Sequence, residues 1–206
     1  MTRPLQVPGA PVEPLTTIVA RIVGEARDDL GTALASTARR VDATPADRRG
    51  AVADLLHAAV DLGLLSSFLD AATTYATTKT RPWPGTGYDR AADDPHLIAR
   101  FGRFVAAVSA LEALVDEATT EAERGSAGAV RAAAIARHHG VSVGRTFVSG
   151  TIELLGASAT SIRHGFDVRW RDVLEHARRH PPQTSLDGIA GGDLAFAGPK
   201  AAASPL

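Results

Sequence analysis

From Leu15 onward, apolar residues recur every three or four positions: Leu15, Ile18, Val19, Ile22, Val23, Ala26, Leu30, Ala33, Leu34, Ala38 and Val41. One buried helical stripe has this spacing, and it predicts a single helix over 15–44. Thr44 before Pro45 supplies a capping residue and a proline at the first helical position. The stripe resumes at Ala51, Leu55, Leu56, Ala59, Leu62, Leu65, Phe68, Leu69, Ala72 and Tyr75. A second helix to about Lys79 follows. The segment "TRPWPGTGYDRAADDP" breaks the pattern with prolines and glycines, and its aspartates open a third helix whose apolar positions run from Leu97 to Ala118, ending near "ERGSAG". A fourth stripe from Val130 to Leu155 stops at Gly156, Ala157 and Ser158, and a shorter fifth helix starts at Asp167. Gly140, Gly144 and Gly150 lie inside the fourth. Each costs about 1 kcal/mol relative to alanine there, which close helix contacts are expected to offset.

These elements predict an all-α protein: an antiparallel up-down bundle of four to five long helices. Residues 1–14 hold four prolines and read as a flexible arm. The organisation expected is an arm over 1–14, an N-terminal helix over 15–44, a helical bundle over 45–182 and a flexible tail over 183–206, the tail being rich in glycine and proline with few residues to anchor it.

The absence of cysteine excludes a disulfide framework, thiolate chemistry and cysteine-ligated metal. With 22 basic and 23 acidic residues the net charge is −1, so no overall field draws the chain to nucleic acid or an anionic membrane. The N-terminus shows no signal-like apolar run, and no stretch approaches the roughly 18 apolar residues of a membrane span. A soluble cytoplasmic protein without a nucleic-acid or membrane partner is expected.

No nucleotide-binding loop, nucleophile elbow or helical Glu-x-x-His pair is present. His176 and His180 have a spacing that can chelate a metal on one helical turn, but no third ligand lies nearby in sequence, and no metal is expected. His138 and His139 point to different helix faces, as structural histidines do. "TKTRPW", Thr78 to Trp83, joins cations, hydroxyls and an indole at a helix end. It suits an anionic or aromatic ligand, or equally an Arg81 on a helix C-terminus with Trp83 packed beneath the loop. Arg163, Arg169, Arg171, Arg178 and Arg179 form either a phosphate site or one solvated face.

Taken in order, "HAAVDLGLLSSFLDAATTYATTKTRPW", "RAADDPHLIARFGRFVAAVSALEALVDEA" and "GRTFVSGTIELLGASATSIRHGFDVRWRDVLEHARRHPP" resemble the C-terminal helical domain of the acyl-CoA dehydrogenase superfamily. The likeness is greatest to its branch of flavin-dependent monooxygenases and desulfurisation-type enzymes. It covers about residues 57–182 and rests on Thr78–Trp83, Asp93–Pro95, Thr151–Thr160 and Phe166–Asp172 with His176.

The resemblance implies FAD or reduced flavin as cofactor. It places Lys79 and Arg81 beside the flavin phosphate, Gly156, Ala157 and Ser158 beside its adenosine half, and Trp170, Arg171 and His176 toward the substrate side; Trp83 and Arg171 also count among the cofactor-binding residues, and His176 is the catalytic candidate. The sequence departs from the pattern where Lys79 replaces arginine, a point charge in place of a bidentate fork. It departs again at Val168, Arg169, Asp172, Leu174, Glu175 and Arg178–His180, and the proton-abstracting glutamate of the dehydrogenases has no counterpart. Such enzymes also carry an N-terminal helical domain and a β-barrel that this sequence lacks. The implied role is an oxidoreductase subunit supplying half of an FAD site, as a homo-oligomer or with a flavoprotein subunit that bears the barrel. The alternative is a degenerate, non-catalytic bundle serving assembly.

Overall fold

A computed structural model describes residues 13–185 and 188–189. Six α-helices and three short 3-10 turns make up the fold, with no strand among the described residues. The helices are α1 (Leu15–Asp28), α2 (Leu30–Asp42), α3 (Ala46–Thr78), α4 (Pro95–Arg124), α5 (Ala129–Leu155) and α6 (Phe166–Arg179). The all-α, up-down architecture is as expected. The count differs because the first stripe is two helices.

The break falls at Asp29, whose backbone is extended (φ −151°, ψ 112°). Its carboxylate accepts from the Thr32 N–H at 2.8 Å and caps α2. The apolar period runs unbroken across this corner, so it is the capping chemistry of Asp-x-x-Thr that marks the end of one helix and the start of the next. At the next boundary Pro45 takes the cap position instead of Thr44, whose hydroxyl donates back to the Arg40 carbonyl at 2.8 Å. Asp94 caps α4 by accepting from the His96 N–H at 2.8 Å, with Pro95 at the first helical position.

Successive helices alternate in direction. The start of α1 meets the end of α4, where the Thr16 N–H donates to Glu123. Phe104 of α4 stacks on Phe147 of α5 at 5.3 Å, while α6 runs back along α3 from Phe68–Phe166 to His57–His176. Phe68 sits edge-on to both Phe104 and Phe166, at the middle of the core. Ile18, Ile22, Ala26 and Ala33 join the same core, so α1 and α2 are integral to the bundle.

α3 is the central rod, buried on nearly every side. By length and composition it passes for a membrane span, which corrects the expectation that no stretch approaches one. Of its most apolar 18-residue window, 78% is buried within the protein, so the apolar run is core. Close approach governs its packing. A Cβ on Gly63 would lie 2.5 Å from the Val23 carbonyl oxygen of α1, and one on Gly140 or Gly144 would lie 2.6 Å from Asp61 or 2.7 Å from Val173. The glycines of α5 therefore sit at helix contacts, as their cost required.

The arm falls outside the described residues up to position 12. The tail is anchored where it begins, contrary to expectation: the buried Asp54 carboxylate accepts from the backbone N–H groups of Gln183 and Thr184 at 2.7 and 3.1 Å.

Gly63→Ala forces α1 away from α3 and is expected to cost about 1–3 kcal/mol despite alanine's better helix propensity. Urea denaturation of the variant against wild type measures it.

Candidate functional site

Two helix ends build a large cavity. α3 terminates where Pro82 and Pro84 forbid continuation, and Lys79 takes the C-cap with its N–H on the Tyr75 carbonyl. α5 terminates at Gly156, whose φ of 85° and ψ of 167° are accessible essentially to glycine alone. The chain then coils through a 3-10 turn, Ala157–Thr160. Tyr75 joins the two ends, its hydroxyl 2.8 Å from Ser158 Oγ and its ring edge-on to His164 and Phe166.

Between them lies a cavity of about 790 Å³, lined by Tyr75, Lys79, Thr80, Arg81, Trp83, Gly156, Ser158, Arg163 and His164 among others. Five of the residues singled out in sequence meet here: Lys79, Arg81, Trp83, Gly156 and Ser158. Ala157 belongs to the same turn without lining the cavity. Trp83 is 58% exposed at the mouth, and Thr80 Oγ1 is buried without a hydrogen-bond partner. Cations, an open indole, a stranded hydroxyl and a turn with no Cβ at its corner make a site that can hold an anionic group and an aromatic ring.

Three expected members lie elsewhere. Trp170 points along α5, donating its indole N–H to Ser149 Oγ at 3.0 Å. Arg171 is exposed on α6, 3.7 Å from Asp167 one turn earlier. Arg178 and Arg179 likewise fold onto Glu175, whose carboxyl their hydrogen bonds pull down to about 2. Much of the arginine cluster is thus ion-paired within its own helix.

His176 is the largest displacement. It is 1% exposed, at the far end of the bundle from the cavity. From His57, its neighbour on α3, to Tyr75 is about 27 Å of helix at 1.5 Å per residue. His176 is a core residue in a polar network, and the structure does not bring it together with the cavity residues.

That network was not legible as a unit in the sequence. Arg137 of α5, fully buried, pairs through one guanidinium nitrogen with Asp61 and through another with the His180 carbonyl. The other Asp61 oxygen is 2.8 Å from His176 Nδ1, and His176 Nε2 is 3.1 Å from His57 Nδ1. His57 stacks on His180 at 4.6 Å. The assignment consistent with both histidine contacts has His57 Nδ1 donating to His176 Nε2 and His176 Nδ1 donating to Asp61. Burial raises the Asp61 carboxyl, but Arg137 and then His176 outweigh it and leave it below the ordinary value. Burial, with His176, Arg137 and His180, drives His57 down to about 3. His180 is lowered by burial, His176, Arg137 and Arg179. Among the described residues no group of three or more His, Cys, Asp or Glu is disposed to hold a metal. The one available signal was polar residues interrupting apolar runs, His57 and Asp61 a helical turn apart in "HAAVDLGLL" and Arg137 in "AAAIARHHG".

Residues 55–180 match the family "Acyl-CoA dehydrogenase, C-terminal domain", and the chain belongs to that family. Dibenzothiophene monooxygenase of Rhodococcus erythropolis is 34% identical over 141 residues, 63% of this chain and 34% of that protein. The probable FMNH2-dependent monooxygenase SfnC of Pseudomonas putida is 26% identical over 148 residues, 65% of this chain and 36% of SfnC. TdsC from Paenibacillus sp. A11-2, solved with FMN and indole, superposes with a TM-score of 0.65 at 24% identity, covering 73% of this chain and 41% of TdsC. Methanesulfinate monooxygenase MsuC of Pseudomonas fluorescens gives 0.67 at 22%, covering 74% and 42%. These structural likenesses establish the fold. The chain spans about a third of the length of the curated relatives it matches.

Asp61→Ala strands Arg137 in the core and is expected to cost about 3–5 kcal/mol in urea denaturation. Acid should destabilise the protein before its carboxylates titrate. The unfolded chain protonates His57 near 6.5 and the folded chain only near 3, so the unfolded state binds more protons between them. This contribution is complete above about pH 6.5 and falls by about 1.4 kcal/mol per pH unit below it. His57→Phe, which keeps a ring against His180, should flatten the slope measured by thermal denaturation from about pH 6.5 to 5.

Proposed function

We propose that this chain supplies the helical half of a flavin site in an oxidoreductase, the other half coming from a polypeptide that carries a β-barrel. The observation that carries the reading is the rim cavity, where Lys79, Arg81, Trp83, Gly156 and Ser158 converge. Its residues fit FAD or reduced flavin. Arg81 and Lys79 receive phosphate oxygens, Thr80 Oγ1 supplies a buried hydroxyl in want of a partner, and the Gly156 turn admits the ligand against bare backbone. Bound flavin would supply the electron-transfer chemistry. This chain's residues bind, orient and exclude water.

The cavity mouth supports an oligomer, either of copies of this chain or with a flavoprotein subunit. Trp83 at 58% and Ile162 at 81% exposure leave apolar surface uncovered near it. A second reading, a non-catalytic bundle that caps or assembles a flavoenzyme, is favoured by the burial of His176, which takes the one catalytic candidate away from the cavity.

Purification of the chain together with a barrel-bearing partner should give a yellow complex with flavin absorbance. Arg81→Ala should weaken flavin retention about tenfold or more, the loss of one charge-assisted hydrogen bond. A colourless complex supports the assembly reading, and a yellow complex indifferent to Arg81→Ala contradicts the cavity's role.

A further inference from the structure

A second open cleft of about 580 Å³ lies beside the first, walled by Arg27 and Asp28 of α1, one side of α3 from Ser67 to Lys79, His164, and Phe166 and Arg169 of α6. Tyr75, Lys79 and His164 line both clefts, with Tyr75 bonded to Ser158 as part of the partition. α1 lies outside the residues that match the family. The second cleft is therefore built partly by residues beyond the matched segment.

We infer that this cleft is a separate binding site for a small phosphorylated polyol, a sugar phosphate in chemical class, held between α1, α3 and α6. Three cationic side chains, Arg27, Lys79 and Arg169, face two carboxylates, Asp28 and Asp70. Arg27 is already paired with Asp70, which leaves Lys79 and Arg169 to receive an anion. Arg169 is anchored by a bond from one guanidinium nitrogen to the Gly165 carbonyl at 3.2 Å, and its Nε is buried with no partner. A charged donor in that condition calls for an acceptor. The rest of the wall is suited to hydroxyls: Ser67, Thr74, Thr78 and Tyr75 exchange hydrogen bonds with them, and Asp28 accepts from them. The volume lies within the range of small-molecule sites.

The inference does not rest on the flavin reading, and one titration series separates them. Ribose 5-phosphate and inorganic phosphate are titrated into the full chain by calorimetry, for wild type and for Arg27→Ala, Arg169→Ala and Arg81→Ala. Ribose 5-phosphate is expected to bind at least tenfold more tightly than inorganic phosphate. Arg169→Ala should weaken it about tenfold, whereas Arg27→Ala, whose guanidinium is held by Asp70, and Arg81→Ala, in the first cleft, should each change it less than about threefold. Ser67→Phe, which fills the cleft without touching its charges, should abolish binding. Circular dichroism confirms that each variant is folded. Equal affinity for the two probes, no measurable heat, or a loss caused by Arg81→Ala in place of Arg169→Ala overturns the inference. The last result leaves the flavin reading of the first cleft standing.

Discussion

The Asp61–Arg137 pair, buried between α3 and α5, fixes the register on which the rim depends. Gly140 allows α5 to lie against Asp61 within a distance that no Cβ would tolerate, and the ion pair prevents either helix from sliding. From Asp61 to Tyr75 α3 rises about 21 Å, and from Gly140 to Leu155 α5 rises about 22 Å in the same direction. The helices therefore finish together, which is why Tyr75 meets Ser158 and the two termini can share one cavity. An apolar contact in place of the pair would match area without specifying position. The charge pair permits one register, because any slip leaves a guanidinium or a carboxylate unpaired in the core.

The same pair organises the opposite end. His176 and His57 extend from Asp61, His180 stacks beyond them, and Arg137 holds the His180 carbonyl. Asp54 then seizes the chain as it leaves. The bundle has a buried, ion-paired polar end that holds the chain at Gln183 and Thr184, and an open end where cations and an indole stand without partners of comparable strength. The proposed ligand site is assigned to the open end for that reason.

Most of the fold was legible because apolar period and proline–glycine punctuation report burial directly. The corner at Asp29 escaped because the apolar period continues through it, and the helix count was low by one. The rim was legible in part: Lys79, Arg81, Trp83, Gly156 and Ser158 lie at helix ends, where charge and backbone freedom leave a local signature. Tyr75 and His164 did not, since a tyrosine closing an apolar stripe looks like core until its partner is known. His176 misled for a related reason. Its role is set by Asp61 and Arg137, which lie far from it in sequence, and a single polar residue on a helix carries no sign of which distant side chain will satisfy it. Arg171, Arg178 and Arg179 of α6 look like part of an anion site in one dimension and become intrahelical ion pairs in three.

The chain belongs to the family "Acyl-CoA dehydrogenase, C-terminal domain", and we propose that its open end recognises the phosphate-bearing part of a flavin. Phosphorus NMR of FMN titrated with the chain tests this most directly. Broadening and displacement of the phosphorus resonance that disappear with Arg81→Ala are expected. A resonance unmoved by the wild-type chain, or moved equally by the Arg81→Ala variant, would contradict the account.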